Sequence, residues 1–358
     1  MKKTKTSKEK NLSILQKRWL KFKTLKRGYY SLVILTVLYI ISFFLPLLIN
    51  NRSLIVHYND KLYFPVLSGY IPGKTFGQEV PGEARYRDLK QVFEEEDIGN
   101  WVLMPPYPYS PFEDITFEGN KMYESPSLRH WLGTDNTGRD VFARLCYAFN
   151  ISISFALILT IITYILGIMI GGSMGYFGGR FDLFFQRLIE IWSSLPMLFV
   201  IIIFVSILRP SFFLLIGIYT LVNWIGMTYY MRAEFYREKS KDYVSAAISM
   251  GQSHTKIIFK HILPNSLIPV ITYFPFSVVG GILALVGLDF LGFGLAPPTP
   301  SWGQILYVGL SNITKWWMVF SPIMAQFFTL LCIVFIGEDC EKHLIQKFIH
   351  DYDNEKAY

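Results

Sequence analysis

Six long apolar runs without charged residues constrain this chain more than any other feature of its sequence. Each run holds at least about 18 residues, and a helix of that length crosses about 30 Å of hydrocarbon at 1.5 Å per residue. A Leu, Ile, Val or Phe at the bilayer centre favours insertion by about 0.3 to 0.6 kcal/mol, whereas a charge there costs about 2.5 to 3.5 kcal/mol. The runs lie within residues 27–52, 144–175, 190–209, 209–232, 266–288 and 316–337.

These runs predict an all-α integral membrane protein with six transmembrane helices, one N-terminal anchor followed by a core of five. A buried helix of a soluble protein could account for one run but not for six. The first run could be a signal peptide, but it is long and lacks a small-residue cleavage site, which favours an uncleaved anchor. A seventh charge-free stretch, residues 290–314, is rich in glycine and proline and is expected to form a re-entrant or loop segment.

The charge distribution predicts which ends face the cytoplasm. Residues 1–28 carry eleven Lys and Arg against one Glu, which places this end inside. A basic segment directly before a span contacts anionic lipid more often than nucleic acid. Six spans then place the C-terminus inside as well. The predicted organisation is a basic cytoplasmic N-terminus at 1–28, an anchoring helix at 29–50, an external loop at 51–145, a five-helix core at 146–337 with a cytoplasmic loop at 232–265, and a cytoplasmic tail at 338–358.

The polar segment between the fourth and fifth runs predicts a docking surface. Asp242 is expected to cap a helix that reaches Met250, and Gly251 to end it in the left-handed conformation. Ser253 is expected to cap a second helix that Pro264 closes. Spacings of three and four place small and apolar residues on one side of the first helix, where a partner could approach. These residues are Tyr243, Ala246, Ala247 and Met250. An ordinary amphipathic connector at the membrane surface is the alternative that the pattern leaves open.

Two segments resemble catalytic motifs, but neither has the features that the chemistry requires. Residues 69–75 are one position short of a phosphate-binding loop, so ATP must be handled by another chain. Residues 171–175 fit the Gly-x-Ser-x-Gly pattern of a nucleophile elbow, but they end a membrane span. Glycines recur every four residues in that span and predict close helix packing. They are Gly167, Gly171 and Gly175. The histidines and cysteines show no metal or disulfide spacing, and Glu190 and Asp289 at span ends give a proton relay little support.

Residues 242–264 resemble the EAA loop of ABC-importer permeases. The matching positions are Ala246, Ala247, Gly251, Leu263 and Pro264. Ser245 stands where that pattern has Glu and His261 where it has Ile, departures that peptide-importer permeases commonly show. Residues 132–145, which begin Leu-Gly-Thr-Asp-Asn-Thr-Gly-Arg-Asp-Val, and residues 290–303 resemble the C-type permeases of dipeptide and oligopeptide importers. Segments at 63–65, 84–88 and 101–103 resemble the E-type permease of Yej-type importers, which are linked to uptake of microcin C and antimicrobial peptides.

The resemblance implies the permease subunit of an ATP-driven peptide importer in the bacterial inner membrane, working by alternating access. The implied contacts to the ATPase are Tyr243, Ser245, Ala246, Ala247, Met250, Gly251, His261, Leu263 and Pro264. The implied partners are a second permease subunit that completes a heterodimer, two ATP-binding cassette ATPase subunits or one fused ATPase that carry ATP and Mg, an external peptide-binding protein, the peptide and lipid. The chain itself is expected to be non-catalytic and to bind no cofactor.

Two other classes of protein compete with this interpretation. An ATPase-independent secondary transporter or channel would require charged or broken helices at mid-membrane, and the charge-free runs disfavour it. A membrane hydrolase rests only on the serine pattern at 171–175.

Overall fold

The computed structural model describes residues 22–114 and 121–355, with side chains described as far as Lys342. The chain divides into two compact units. Unit 1 comprises the described parts of Met1–Thr36, Ile153–Leu285 and Phe328–Tyr358. Unit 2 comprises the described parts of Val37–Ser152 and Val286–Phe327. Each unit therefore draws together segments that are far apart in the sequence.

Helices, both long and short, dominate the described residues. They are α1 (Lys26–Ser42), α2 (Leu45–Leu48), α3 (Pro65–Ser68), α4 (Tyr86–Glu96), α5 (Val141–Phe177), α6 (Gly179–Ser193), α7 (Met197–Ile207), α8 (Phe212–Lys239), α9 (Asp242–Ser249), α10 (His254–Lys256), α11 (Leu263–Ser266), α12 (Ile268–Leu291), α13 (Trp302–Ser311) and α14 (Trp316–Glu355). In this part of the chain, α5, α8, α12 and α14 as far as Lys342 are long and apolar enough to cross a membrane. The prediction of a helical membrane protein is confirmed for these four runs.

The two remaining apolar runs differ from the prediction. Helix α1 has 17 residues and ends at Ser42, well before the predicted end at residue 50. The run at 190–209 is not one straight span, because α6 and α7 are bent by 70° at a short break. Pro196 lies in that break, and the residue before a proline avoids the helical conformation. The expectation of an uninterrupted third span was therefore wrong, and α6 with α7 forms one bent candidate.

Within unit 1, α5 approaches α8 along the stripe of glycines predicted to pack helices. A Cβ atom added at Gly171 would collide with the carbonyl oxygen of Thr228 on α8. One added at Gly175 would lie 2.5 Å from the carbonyl oxygen of Arg232, and one at Gly167 would lie 2.7 Å from a side-chain carbon of Met227. Only glycine permits this separation of the two backbones, so the stripe sets where α8 sits against α5.

Within unit 2, the segment predicted as a long loop contains a three-stranded antiparallel sheet that the all-α prediction did not include. Strands β1 (Ile55–Tyr58), β2 (Lys61–Tyr63) and β3 (Trp101–Leu103) lie in the order β2-β1-β3. Val56 on the central strand pairs with Tyr63 and with Val102. The apolar core beneath the sheet consists of Val56, Phe76, Ala84, Tyr86, Leu89, Phe93 and Val102. This segment is a small folded element with its own core.

The glycine- and proline-rich stretch also lies in unit 2. It breaks as expected after α12, and residues 292–301 have no regular helix. The stretch then regains helical structure in α13, which was not predicted. The Ser301 side chain accepts a hydrogen bond from the Gln304 N–H and so caps this helix.

Candidate functional site

The polar segment after α8, residues 240–266, is called the insert, and its first helix is α9. Val244 and Ala247 are buried, with 0% and 1% exposure, in an apolar cluster of unit 1 that includes Met231 and Phe235 of α8. Ala247 was predicted to share the docking face, and that placement was wrong. The exposed residues of α9 include Tyr243, Ser245, Ala246 and Ile248, and Met250 follows at 70% exposure. The inward side thus anchors α9, and the outward side is free of charge from residue 243 to residue 250.

The end of α9 has the geometry that its glycine predicts. Gly251 has a φ of +70°, in the left-handed region. Its N–H donates to the carbonyl of Ile248 at 2.9 Å, and the next N–H, of Gln252, donates to the carbonyl of Ala247 at 3.2 Å. This pair of bonds is the Schellman arrangement, which stops the helix and turns the chain. At the other end, Lys241 occupies the cap position without a side-chain bond, so the prediction of Asp242 as the cap was wrong by one residue.

The second half of the insert is longer and more irregular than predicted. Residues after Ser253 form α10, then a π-helical turn at Ile257–Ile262, then α11. Pro264 lies in the first turn of α11 instead of closing the helix. The Leu263 N–H reaches back to the carbonyl of Ile258, which is the wider π pattern. A proline has no N–H to donate, and the wider turn accommodates it. The side chain of Asn265 then donates to the His261 carbonyl at 2.9 Å.

A buried carboxylate that the sequence did not single out holds the start of the insert. Glu238, near the end of α8, is 2% exposed. It accepts hydrogen bonds from Lys241 Nζ at 2.7 Å and from the Tyr243 hydroxyl at 2.6 Å. Partial burial, followed by the bond to Glu238, raises the pKa of Tyr243 to about 12, so its hydroxyl stays a donor. Tyr243 is therefore a fixed part of the insert and not a freely rotating surface group.

The insert is also tied to the end of α5. His254 Nδ1 lies 2.7 Å from the Tyr176 hydroxyl, and Lys239 Nζ donates to the Tyr176 carbonyl at 2.6 Å. Across the insert, His261 Nε2 lies 2.9 Å from the side-chain oxygen of Gln252. Together with the Glu238 bonds, these contacts link α5, α8, α9 and the π turn. The segment can therefore move as one piece with the ends of two long helices.

Unit 2 brings together the two other segments that carry the family resemblance. The guanidinium of Arg144 is 1% exposed and donates to the carbonyls of Pro111 at 3.3 Å and Pro298 at 3.4 Å. It also donates to the side-chain oxygen of Gln304 at 3.4 Å, and its Nε lies 3.7 Å from the Asp135 carboxylate. Arg144 thus joins residues 132–145 to the stretch that follows α12.

A second buried charge organises that stretch. The Asp289 carboxylate accepts bonds from the Leu295 N–H at 2.6 Å and the Ser301 hydroxyl at 2.5 Å. A Cβ atom added at Gly294 would collide with the Asp289 carboxylate, and one added at Gly303 would collide with the Val286 carbonyl oxygen on α12. These two glycines therefore permit close packing of the loop and of α13 against the end of α12. Asp289 was considered as part of a proton relay, and here it holds the loop.

The remaining chemical candidates have structural roles. Ser173 lies inside α5, and its hydroxyl donates to the Met169 carbonyl at 2.6 Å, whereas a nucleophile elbow requires a strand-turn-helix. Among the side chains of residues 22–114 and 121–342, no three His, Cys, Asp or Glu are grouped to hold a metal ion.

Known proteins that are similar to this chain are components of transport systems. The family described as the binding-protein-dependent transport system inner membrane component matches residues 165–338, which contain the insert. The inner membrane ABC transporter permease protein YejE of Escherichia coli is 39% identical over 326 residues, which cover 90% of this chain and 94% of that protein. The peptidoglycan transport system permease protein YejE of Agrobacterium fabrum is 35% identical and covers 90% of each chain.

Relatives from other transport systems match a shorter part. The dipeptide transport system permease protein DppC of Bacillus subtilis is 34% identical over 224 residues, which cover 62% of this chain and 70% of that protein. The resemblance to peptide ABC permeases that the motifs predicted is therefore confirmed. The chain belongs to the family of binding-protein-dependent transport system inner membrane components.

Proposed function

We propose that this chain is the permease subunit of an ATP-driven peptide importer and forms half of its translocation pathway. The single observation that carries the proposal is the insert, whose exposed residues between 243 and 250 carry no charge and lie on a segment hydrogen-bonded to two long helices. An amphipathic helix offered in this way suits a groove on a partner protein. Relatives whose names specify transport of dipeptides, oligopeptides and peptidoglycan favour a peptide as the substrate.

The partner at the insert is proposed to be an ATP-binding cassette ATPase, present as two subunits or one fused chain that carries ATP and Mg. Force applied to Ala246 and Met250 would reach α8 through the hydrogen bond between Tyr243 and Glu238. It would reach α5 through the hydrogen bond between His254 and Tyr176. Closure of the ATPases would then bias the spans toward one of two arrangements, which is alternating access. A second permease subunit would complete a heterodimer, and an external peptide-binding protein would deliver the substrate.

We further propose six spans in the bacterial inner membrane, with α1 as the anchor, the bent pair α6 and α7 as the third span, and both termini in the cytoplasm. One observation supports this parity. The Gly28 N–H near the start of α1 donates to the Asp339 carboxylate at 2.7 Å, so the start of the first span and the end of the last lie together.

The test is peptide uptake by cells that carry exposed-surface variants of the insert. Ala246→Arg and Met250→Arg should abolish uptake of a labelled tripeptide while the protein stays in the membrane, because a large charge then fills the proposed contact. Leu128→Arg is the matched control, since Leu128 is also an exposed apolar residue, at 98%, and lies in unit 2. Cysteines at positions 246 and 250 should crosslink to an ATPase subunit. Normal uptake by both variants, or crosslinks to lipid alone, would show that the insert connects two spans without binding an ATPase.

A further inference from the structure

A cavity of about 350 Å³ lies inside unit 1, between α5, α8 and α12. Its volume is at the lower end of the range of about 300–1,000 Å³ seen for small-molecule pockets. The side chains that face it recur at helical spacing, as Tyr219, Asn223 and Tyr230 do along α8. The cavity is thus a built feature of three packed helices.

The lining of this cavity combines apolar and hydrogen-bonding groups and carries no charged residue. The hydrogen-bonding side chains are Thr160, Thr163, Tyr164, Tyr219, Asn223, Tyr230, Tyr273 and Ser277. Hydroxyl groups donate and accept, and an amide side chain offers both functions. The Asn223 Nδ2 donates to the Tyr219 carbonyl at 2.9 Å, and no described residue donates to its amide oxygen. The tyrosine rings of residues 230 and 273 stack at 4.3 Å and remain 44% and 37% exposed.

Two glycines widen the cavity instead of packing helices. A Cβ atom added at Gly226 or Gly280 would meet nothing within 4 Å, although both residues line the cavity. The neighbouring Gly281 differs, because its Cβ would lie 3.0 Å from Ala156 of α5. The open space at Gly226 and Gly280 is therefore available to a ligand.

We propose that this cavity, in the importer proposed above, holds the main chain of a peptide in transit and does so independently of peptide sequence. Each peptide unit offers one neutral donor and one neutral acceptor, which the hydroxyls and Asn223 can match. The lining contains no charged residue, so it offers neither acidic nor basic side chains a specific partner. The tyrosine rings offer apolar contact to side chains of any shape. Selection among peptides then falls to other parts of the importer.

The test uses the assembled transporter with its ATPase and binding protein in proteoliposomes, with radiolabelled trialanine as the probe. Gly280→Leu should fill the cavity and lower uptake at least tenfold, with normal assembly, because the added side chain enters open space. Gly217→Leu is the matched control, since Gly217 on α8 also has nothing within 4 Å of an added Cβ and does not line the cavity. It should transport normally.

A second variant tests what the cavity recognises. Asn223→Leu keeps the side-chain size, removes the amide, and should lower uptake by roughly two- to tenfold, the value of one hydrogen bond. The ratio of variant to wild-type uptake should be the same for neutral, acidic and basic tripeptides, because that ratio cancels the preference of the binding protein. A ratio that depends on the side chains would overturn sequence independence. Equal uptake by wild type and Gly280→Leu, or equal losses in Gly280→Leu and Gly217→Leu, would overturn the site itself. Absence of peptide uptake by the wild-type transporter would instead refute the proposed function.

Discussion

The close approach of Gly171 to α8 predicts that Gly171→Ala destabilises the protein, and Gly217→Ala on α8 serves as the control. In Gly171→Ala the new methyl group would collide with the Thr228 carbonyl oxygen and lie 3.0 Å from two further backbone atoms of the same residue. A helix backbone cannot move aside locally without losing its own hydrogen bonds, so α5 and α8 must separate. Overpacking of this kind costs about 1–3 kcal/mol.

Replacing a mid-helix glycine by alanine also removes a conformational penalty of about 0.5–1 kcal/mol. Gly217→Ala on α8 gains the same term and meets nothing within 4 Å. The difference between the two variants therefore isolates the contact and should be about 1–3 kcal/mol, with Gly171→Ala the less stable. Gly167→Ala should fall between them, because its closest contact, 2.7 Å to the Met227 Cβ, is longer than the collision at Gly171.

The assay is thermal unfolding of the purified protein in detergent micelles, followed by tryptophan fluorescence. At about 2.1 cal/mol/K of unfolding entropy per residue, a chain of 358 residues shifts by about 1.3 °C per kcal/mol, so the melting temperatures of the Gly171 and Gly217 variants should differ by about 1–4 °C. If Gly171→Ala melts at or above the temperature of Gly217→Ala, the two helices are not in backbone contact at this point.

Three further substitutions test the buried polar contacts. Tyr243→Phe removes one donor to Glu238 and should cost about 1.5 kcal/mol, the low end for a bond to a charged group because Tyr243 is partly exposed; the same melting assay measures it. Arg144→Met leaves several buried acceptors in unit 2 without a donor and should cost about 3–5 kcal/mol, visible as loss of folded protein from the membrane, with unchanged levels contradicting the role. Asp339→Leu removes the acceptor for the Gly28 N–H at the start of α1 and should cost about 0.5–2 kcal/mol, whereas Asp339→Asn keeps an acceptor and should stay close to wild type.

Hydropathy identified α5, α8, α12 and α14 because insertion depends on composition summed over a window, which is a local property. The same sum is obtained for a straight helix and a bent one. It could not show that the run at 190–209 bends by 70°, although Pro196 marked where a break could fall. Hydropathy also could not reveal the sheet of unit 2, because those strands are short and only partly apolar.

The insert shows the same division between local and tertiary information. Gly251 was predicted correctly because the left-handed conformation is a preference of one residue. The inward orientation of Ala247 was not predicted, because α9 contains several small residues. Only packing against the apolar cluster determines which of them is buried. Pro264 was expected to end a helix, and the π turn before it shows how a neighbouring change of register overrides that preference.

Arg144 lies within residues 132–145, which resemble C-type permeases, but its role was not predicted. A signal was present, since an arginine at the border of an apolar run must find acceptors or remain in water. The sequence gives no means of choosing those acceptors, because the Pro298 carbonyl lies 154 residues away and is available only after the chain folds.

Ser245 replaces the Glu of the family pattern, and Glu238 helps to explain this difference. The family pattern has an acid at position 245, on the surface that would meet a partner, and here that position is an exposed serine. A buried carboxylate lies instead at position 238, near the end of α8, and its bonds to Lys241 and Tyr243 hold the start of the insert. Between residues 243 and 250 the exposed face carries no charge, so attraction at the proposed contact would come from apolar burial along this stretch. The charged groups at the end of α8 thus hold α9 in place, and the uncharged residues that follow are left to meet a partner.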